Sequence, residues 1–424
     1  MDLIEELTWR GMIQDIVPGT REQLLKEQTT GYIGFDPTAD SLHIGSLLPV
    51  ILLVHLQRAG HRPIALVGGA TGMVGDPSGK SAERNLLDED TLSHNLRCIR
   101  SQIERFLDFD PSRANGALVV NNYDWFREMS FLQFIRDTGK LITINYMLAK
   151  ESVKKRMESE NGLSFTEFTY QLVQGYDFYH LFTQYHCKLQ MGGSDQWGNI
   201  VTGTELIRRR TGGEAFAFTC PLLTRSDGGK FGKTEQGNIW LDPAKTSPYH
   251  FYQFWLNAAD DDAEKWIRIF SFLDRGQIEA LILSHRENPA DRVLQKALAR
   301  ETTTLVHGKE EMLRAMTTTE SLFTFGGPVE WNEAKLENLE GVTRTSLPRS
   351  FLQAEKDMVS LLAEAGIFSS KGEARKMILN GGISLNQQKI SDPSMRVTEQ
   401  LLLHSRYLLV QKGRKNHYLI LFTS

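Results

Sequence analysis

Residues 31–46 have the sequence Gly-Tyr-Ile-Gly-Phe-Asp-Pro-Thr-Ala-Asp-Ser-Leu-His-Ile-Gly-Ser. The first five favour a strand, the next six favour a turn, and apolar residues recur at helical spacing from His43 onward. This order predicts a strand, a tight turn and a helix that ends near Gly60. A strand-to-helix junction directs free backbone N–H groups and the positive end of a helix toward one point, where the His43 imidazole adds a donor. We therefore expect an anion here, and specifically a phosphate.

Strand-like apolar runs alternate with helical patterns in the first half of the chain, at residues 32–35, 63–67, 117–120 and 189–191. This alternation is typical of an α/β fold with a Rossmann-type, doubly wound parallel sheet. Mostly helical sequence at about 123–187 interrupts it, and we interpret this segment as an insertion between the two halves of the sheet that forms dimer contacts.

Composition and charge restrict the class of protein. The 424 residues are 41% hydrophobic and 24% charged, which allows a large core and two or three domains. No stretch is apolar enough to cross a membrane and the start lacks a secretory signal, so we expect a cytoplasmic protein. Three widely spaced cysteines suggest neither a disulfide framework nor a zinc site. From Lys371 onward, nine Lys or Arg and three Asp or Glu give a net charge of +6, against −4 for the whole chain. This tail suggests a polyanionic partner, although a solvated surface explains it equally well.

Two glycine-rich stretches indicate different things. Residues 65–76 predict a strand and a glycine-rich turn, but the glycines miss the dinucleotide-binding spacing, so the turn alone favours a structural role. Lys80 and Arg84 follow on one helical face, which suits either a phosphate or solvent. Residues 227–234, Asp-Gly-Gly-Lys-Phe-Gly-Lys-Thr, predict a mobile loop that closes two lysines onto phosphates. Their spacing differs from that of a P-loop, which argues against a P-loop kinase or GTPase.

Two polar clusters predict a small-molecule pocket. Tyr170, Gln174 and Asp177 fall on one face of a predicted helix, and core helices rarely place a phenol, an amide and a carboxylate together. Asp195 and Gln196 follow a strand-like run, and the carboxyl ends of strands line the ligand crevice of a doubly wound sheet. Asp195 would suit a ribose diol.

In this order and spacing, the motifs resemble those of the bacterial tyrosyl-tRNA synthetases, a class I family, over nearly the whole chain. Residues 36–46 are similar to the HIGH motif and residues 230–234 to the KMSKS motif. Between them, the family pattern is matched by Val67-Gly-Gly-Ala-Thr-Gly72, Gly192-Gly-Ser-Asp-Gln-Trp197 and Tyr170, Gln174 and Asp177. The resemblance implies a Rossmann-type catalytic domain at 1–225, a mobile loop at 226–246, an α-helical anticodon-side domain at 247–324, a linker at 325–349 and an alpha-L type RNA-binding domain at 350–424.

The resemblance also implies residue roles. The substrate phenol would contact Tyr32 and Asp177, its ammonium group Asp76, Tyr170 and Gln174, and its carboxylate Gln196. The adenylate would lie along Gly34, Asp36, Gly193 and Asp195. The phosphates, chiefly the departing pyrophosphate, would contact Thr38, His43, Lys80, Arg84, Lys230, Lys233 and Thr234. The tRNA would contact Arg208, Arg209, Arg210, Lys371, Arg375, Lys376, Lys412, Arg414 and Lys415, although the first three equally fit a solvated helix end.

The implied partners are L-tyrosine, ATP with Mg²⁺ and tRNA-Tyr, bound by a homodimer without a membrane anchor or a protein-bound metal. Ser46 breaks the pattern, because the motif normally ends in a second histidine there, so that contact with ATP is lost, made through water or supplied elsewhere. Pro49 lacks the amide that would bond back to Gly45, which predicts a bent helix start. Two alternatives stay open: an RNA-binding protein on a catalytically decayed scaffold, and a class I synthetase for another aromatic amino acid. The intact His43 argues against the first, and Asp177 paired with Tyr32 argues against the second.

Overall fold

The structure is a computed structural model that describes residues 2–76, 87–158, 162–229, 231–234, 237–323, 331–354, 356–413 and 416–423, with only the backbone of Ser152, Lys155, Lys233 and Thr234. Five residues that the sequence analysis assigned to phosphate or tRNA lie outside the described residues: Lys80, Arg84, Lys230, Arg414 and Lys415. The chain divides into two compact units, one of residues 1–247 and 254–306 and one of residues 248–253 and 307–424.

The helices and strands are named in chain order. The helices are α1 Leu3–Trp9, α2 Thr20–Lys26, α3 Ile44–Arg58, α4 Gly69–Val74, α5 Glu89–Ile103, α6 Tyr123–Phe126, α7 Phe131–Asp137, α8 Ile144–Leu148, α9 Glu151–Met157, α10 Phe165–Tyr185, α11 Trp197–Thr211, α12 Pro248–Leu256, α13 Asp260–Phe270, α14 Arg275–Glu287, α15 Val293–His307, α16 Lys309–Phe323, α17 Glu333–Glu337, α18 Ser350–Gln353, α19 Met358–Glu364 and α20 Lys371–Leu379. The strands are β1 Thr30–Phe35, β2 Arg62–Val67, β3 Leu118–Asn121, β4 Cys187–Gly193, β5 Phe216–Cys220, β6 Lys233–Thr234, β7 Gly237–Asn238, β8 Val342–Pro348, β9 Ile383–Leu385, β10 Gln388–Lys389, β11 Tyr407–Lys412 and β12 Asn416–Thr423. None of the described helices combines the length and the apolar character needed to cross a lipid bilayer.

The first unit contains a five-stranded parallel sheet in the order β3-β2-β1-β4-β5. This confirms the predicted α/β class and the four predicted strands; β5 was not predicted. The strand order reverses between β1 and β4, so the chain leaves these two strands on opposite faces of the sheet and opens a crevice at their carboxyl ends.

The helix α3 follows β1 through the turn at residues 36–43, as predicted. Its apolar face, which includes Leu47, Ile51 and Leu56, is buried, and this burial holds the helix against the sheet. The helix continues through Pro49 and ends at Arg58, just before Gly60, which adopts a positive φ of 91°. Helices α6 to α10 occupy the chain between β3 and β4, where the sequence predicted a helical insertion.

The second unit contains a five-stranded sheet in the order β10-β9-β11-β12-β8. Strand β8 pairs in parallel with β12, so residues 342–348 are part of this sheet and not of a linker, which corrects the sequence interpretation of residues 325–349. The sequence pattern did not predict this strand, because it lies at the edge of the sheet and exposes most of its polar side chains. The predicted capped helix is α20, with Ser370 as its N-cap, and the predicted hairpin is β9–β10.

Candidate active site

The phenol, amide and carboxylate that the sequence placed on one helix face are all carried by α10, at the crevice beside β1 and β4. The capping box of Ser164 and Glu167 fixes the start of this helix, and the helix continues for 21 residues, so Tyr170, Gln174 and Asp177 project from consecutive turns. Tyr32 projects from β1 toward the same helix and packs against Phe178, with 5.4 Å between ring centroids.

One end of the crevice holds Tyr32 and Asp177. The Tyr32 hydroxyl is buried and has no hydrogen-bond partner among the described residues. Asp177 is also buried and accepts hydrogen bonds from Asn122 Nδ2 at 3.1 Å and from Trp125 Nε1 at 2.9 Å. Burial raises the pKa of Asp177 to about 8, and burial together with the Asp177 charge raises the pKa of Tyr32 well above its usual value. A buried, unpaired hydroxyl is costly, so this end is suited to a ligand group that both donates and accepts a hydrogen bond.

A second group of residues in the crevice consists of those that the resemblance assigned to the ammonium and carboxylate groups. Gln196 Nε2 donates to Asp76 Oδ2 at 2.6 Å, and Asn199 Nδ2 donates to Gln174 Oε1 at 3.0 Å. Tyr170 donates to Asp36 Oδ2 at 2.9 Å. Burial raises the pKa of Tyr170 well above its usual value, so this phenol remains a donor at neutral pH.

The helix start carries His43 as its N-cap. The Nδ1 atom of His43 accepts the Gly45 amide at 3.0 Å, so a neutral imidazole carries its proton on Nε2, and the ring is exposed. Ser46 donates its backbone amide to the His43 carbonyl at 2.8 Å, and Thr38 is exposed in the preceding turn. An exposed imidazole therefore lies beside the first turn of α3, where the sequence predicted an anion, and the binding of an anion there stays a prediction.

The structure brings the backbone of the KMSKS-like segment to the same helix start. Ile44 donates its amide to the Ile239 carbonyl at 3.0 Å, and Ile239 donates its own to the Gly232 carbonyl at 3.1 Å. A side chain at Gly232 would come within 2.8 Å of Ile44 Cγ1, and the residue has a positive φ of 80°. The glycine therefore allows the backbone between Lys230 and Lys233 to approach α3 closely.

The residues assigned to the adenylate lie at the ends of β1 and β4. Gly34 is exposed near the end of β1, and a side chain at Gly193 would come within 2.5 Å of Asp195 Oδ1. Burial, and to a smaller degree the Asp76 charge, raises the pKa of Asp195. No cluster of three or more His, Cys, Asp or Glu suited to a metal occurs among the described residues.

Sequence reasoning missed four polar residues of the crevice: Thr71, Asn122, Trp125 and Asn199. Asn122 follows directly on β3, so the rule that strand ends line the crevice would have identified it. The other three lie on helices whose orientation only the packing reveals.

The basic residues assigned to tRNA are in different environments. Arg208 and Arg209 both pair with Glu205, and the Arg210 guanidinium lies 4.3 Å from the centre of the Tyr179 ring. These contacts favour a helix-end role, and a tRNA contact there stays a prediction. In the second unit, Lys371, Arg375 and Lys376 are exposed on α20, whereas Lys412 donates to the Ile367 carbonyl at 3.0 Å.

Comparisons with known proteins agree with this geometry. A family model of class I tRNA synthetases (W and Y) matches residues 24–324, and a model of the tyrosine–tRNA ligase SYY-like C-terminal domain matches residues 338–420. The tyrosine–tRNA ligase of Porphyromonas gingivalis is 59% identical over 428 residues, which cover 99% of this chain and 100% of the relative. That of Bacteroides fragilis is 57% identical over 430 residues, with the same coverage.

A solved structure has the same fold in its catalytic part. The C-terminally truncated mitochondrial tyrosyl-tRNA synthetase of Aspergillus nidulans is 32% identical, with a TM-score of 0.68, and the match covers 76% of this chain and 94% of that chain. The chain therefore belongs to the class I aminoacyl-tRNA synthetases, and within them to the tyrosine–tRNA ligase family.

Proposed function

We propose that the crevice binds L-tyrosine, activates it with ATP to tyrosyl adenylate, and passes the tyrosyl group to the 3′ end of tRNA-Tyr. The observation that carries this proposal is the buried Tyr32 hydroxyl without a described partner, close to the buried carboxyl group of Asp177. A substrate phenol would accept from Tyr32 and donate to Asp177. Phenylalanine would leave the Tyr32 hydroxyl unpaired and would remove one hydrogen bond to Asp177, and a tryptophan ring has no hydroxyl for either group.

The chemistry needs no side-chain nucleophile. The substrate carboxylate, oriented by Gln196, attacks the α-phosphorus of ATP in line, the α–β phosphate bond breaks, and pyrophosphate leaves with the electron pair. His43 Nε2 and the first turn of α3 donate to the phosphates, and Lys230 and Lys233 stabilise the charge that develops on the leaving group. The backbone of Gly232, in the segment that contains both lysines, approaches Ile44 closely, which supports this role for the segment.

Magnesium would enter with ATP. Both Asp36 oxygens already accept hydrogen bonds, from Thr71 at 2.7 Å and Tyr170 at 2.9 Å, and no described cluster supplies a protein cage. Mg²⁺ commonly keeps several waters and binds through substrate phosphates, where it neutralises charge on the leaving group.

We assign dimerisation to the helical segment between β3 and β4. Seven large apolar side chains are exposed in this segment: Tyr123, Phe131, Leu132, Ile135, Ile144, Met157 and Phe165. Leu132 is 78% exposed, and exposed patches of this kind mark interaction surfaces. Sedimentation should show a dimer for the parent chain and a monomer for Leu132→Asp. Leu283→Asp, at an exposed leucine of α14, is the control.

The cytoplasm is the compartment we propose, in accord with three free cysteines.

The experiment that tests the activity is ATP–pyrophosphate exchange with tyrosine, phenylalanine and tryptophan, on the full chain and on a chain ending at residue 330. The shorter chain ends before β8, because β8 without its partner β12 would be an unpaired strand. We expect exchange with tyrosine alone in both forms. Transfer to tRNA-Tyr should fall in the shorter form, because the basic α20 is lost. Absence of exchange in the full chain would favour the RNA-binding alternative.

A further inference from the structure

The glycine-rich turn predicted from the sequence is, in the structure, the passage from the end of β2 into the first residues of α4, and it lies where three strand ends meet. An added side chain at Gly68 would overlap Thr71 Oγ1 and Asp36 Oδ1, and one at Gly69 would overlap Asn121 Oδ1. One at Gly72 would come within 3.1 Å of Pro37 Cγ. The glycines therefore let the turn after β2 contact both the turn after β1 and the end of β3. The close approach explains their presence without any phosphate.

Thr71 lies at the centre of this junction. Its hydroxyl donates to Asp36 Oδ1 at 2.7 Å and accepts from Asn122 Nδ2 at 3.1 Å. The same Asn122 amide donates its other proton to Asp177 Oδ2 at 3.1 Å. Thr71, Asn122 and Asp177 are 3%, 0% and 1% exposed, so water does not compete for these bonds.

The directions of these hydrogen bonds are determined. Asn122 Oδ1 accepts the Ala70 amide at 2.7 Å, which leaves the Asn122 NH₂ group as a donor toward both Thr71 and Asp177. Because Asn122 can only donate to Thr71, the single Thr71 proton goes to Asp36. The hydrogen bonds therefore form a continuous path from Asp177, at the tyrosine end, through Asn122 and Thr71 to the carboxylate of Asp36. Tyr170 also donates to Asp36.

We propose that Thr71 is a positioning residue that couples the tyrosine end of the crevice to the ATP end. The inference rests on the proposed function and deepens it. Asp36 belongs to the turn that leads into α3, and its carbonyl accepts the Thr38 amide at 2.9 Å. A phenol that fills the site beside Asp177 orders Asn122, Thr71 and Asp36 in turn. The second substrate then binds to groups that are already ordered, which makes the two affinities reciprocally dependent.

The test measures the affinity of L-tyrosinol with and without ATP by calorimetry. Tyrosinol keeps the phenol and the ammonium group but lacks the carboxylate, so no reaction follows. Thr71→Val removes the hydroxyl at nearly constant shape, and Thr71→Ser retains it. Thr303→Val is the matched control, because the Thr303 hydroxyl is buried and has no hydrogen-bond partner among the described residues.

We expect ATP to tighten tyrosinol binding by about tenfold in the parent chain and by less than about twofold in Thr71→Val. Tyrosine-dependent adenylate formation should lose about 10- to 100-fold in kcat/KM in Thr71→Val, as for a hydrogen bond to a charged acceptor. In Thr71→Ser, kcat/KM should stay within about threefold of the parent value, and Thr303→Val should have the parent value. Gly68→Ala, which forces Thr71 and Asp36 apart, should lose coupling similarly, and its combination with Thr71→Val should add little.

Three results would overturn the proposal. Parent-like coupling and rates in Thr71→Val would show that the hydroxyl transmits nothing. Equal damage in Thr71→Ser and Thr71→Val would assign the effect to packing of the methyl group. A parent chain in which ATP leaves tyrosinol affinity unchanged would have no coupling for Thr71 to carry. A parent chain that shows the coupling, and loses it in Thr71→Val, but forms no adenylate would instead contradict the proposed activity and support the role of Thr71.

Discussion

The two ends of the crevice are built differently. The tyrosine end consists of three buried residues: Tyr32 on β1, Asp177 on α10 and Asn122 just after β3. Asn122 and Asp177 are hydrogen-bonded to each other. At the phosphate end, an exposed imidazole, backbone amides and a glycine at positive φ approach one point. Recognition of a small aromatic group needs fixed, dry donors and acceptors, whereas stabilisation of a departing pyrophosphate needs cations that arrive as charge develops.

The largest effect on catalysis should come from the phosphate end. Lys230→Ala and Lys233→Ala should each raise the activation free energy of adenylate formation by about 2–4 kcal/mol, by analogy with removal of an oxyanion donor. Because the interaction is made mainly in the transition state, kcat and kcat/KM should fall together while tyrosine affinity stays unchanged. Stopped-flow adenylate formation and equilibrium binding of tyrosine measure the two quantities. Parent rates in both variants, or loss of tyrosine binding, would show that the segment does not hold the pyrophosphate.

At the tyrosine end, Asp177 should make the free energy of unfolding depend on pH. The pKa of Asp177 is raised from 3.8 in the unfolded chain to about 8 in the folded chain, so the folded state keeps a proton that the unfolded state has lost. The free energy of unfolding should therefore fall as pH rises from about 4 to about 8, with a slope of up to about 1.4 kcal/mol per pH unit. Urea unfolding across this range, with Asp177→Asn for comparison, isolates the contribution. An equal slope in the variant would assign it to other groups.

A smaller effect should distinguish the phenol from the rest of tyrosine. Tyr32→Phe removes one neutral hydrogen bond to the substrate hydroxyl, which is worth about 0.5–1.5 kcal/mol. The ratio of kcat/KM for tyrosine to that for phenylalanine should fall accordingly, whereas the KM for ATP should not change. Phe178→Leu, a change in the ring that packs against Tyr32, serves as a control for altered packing. An unchanged ratio in Tyr32→Phe would remove this residue from phenol recognition.

The smallest effect should come from Ser46. Its hydroxyl makes no hydrogen bond to a described residue, and its backbone amide, which bonds to His43, survives substitution. Ser46→Ala should therefore change the KM for ATP by less than about twofold, which corresponds to about 0.5 kcal/mol, a range usual for surface substitutions. His43→Asn, which keeps a capping group but loses the Nε2 donor, should cost more. A large effect of Ser46→Ala would mean that the serine itself contacts ATP in place of the missing histidine.

The fold and much of the site could be predicted from local patterns. The β1 to α3 junction, the parallel alternation, the polar face of α10 and the capped α20 each have a period or a motif that is visible within about twenty residues. Strands β5 to β8, β11 and β12 were not predicted, and two of them, β5 and β8, were missed for opposite reasons. β5 is a short apolar run without a distinctive pattern, and β8 is an edge strand whose exposed polar residues resemble a linker. The proposed domain boundaries therefore stay predictions.

The sequence by itself determined which chemical groups are present, in what order, and on which faces of which elements they lie. Only the tertiary structure decided which of them meet. Thr71, Asn122 and Asp177 are separated by 51 and 55 residues, and no local pattern predicts that one amide bridges the other two. The glycine-rich turn shows the same limit, because its glycines are needed only where Asp36 and Asn121 approach from other strands. The physical reason is that propensity and periodicity act within one element, whereas a buried hydrogen bond depends on how separate elements pack.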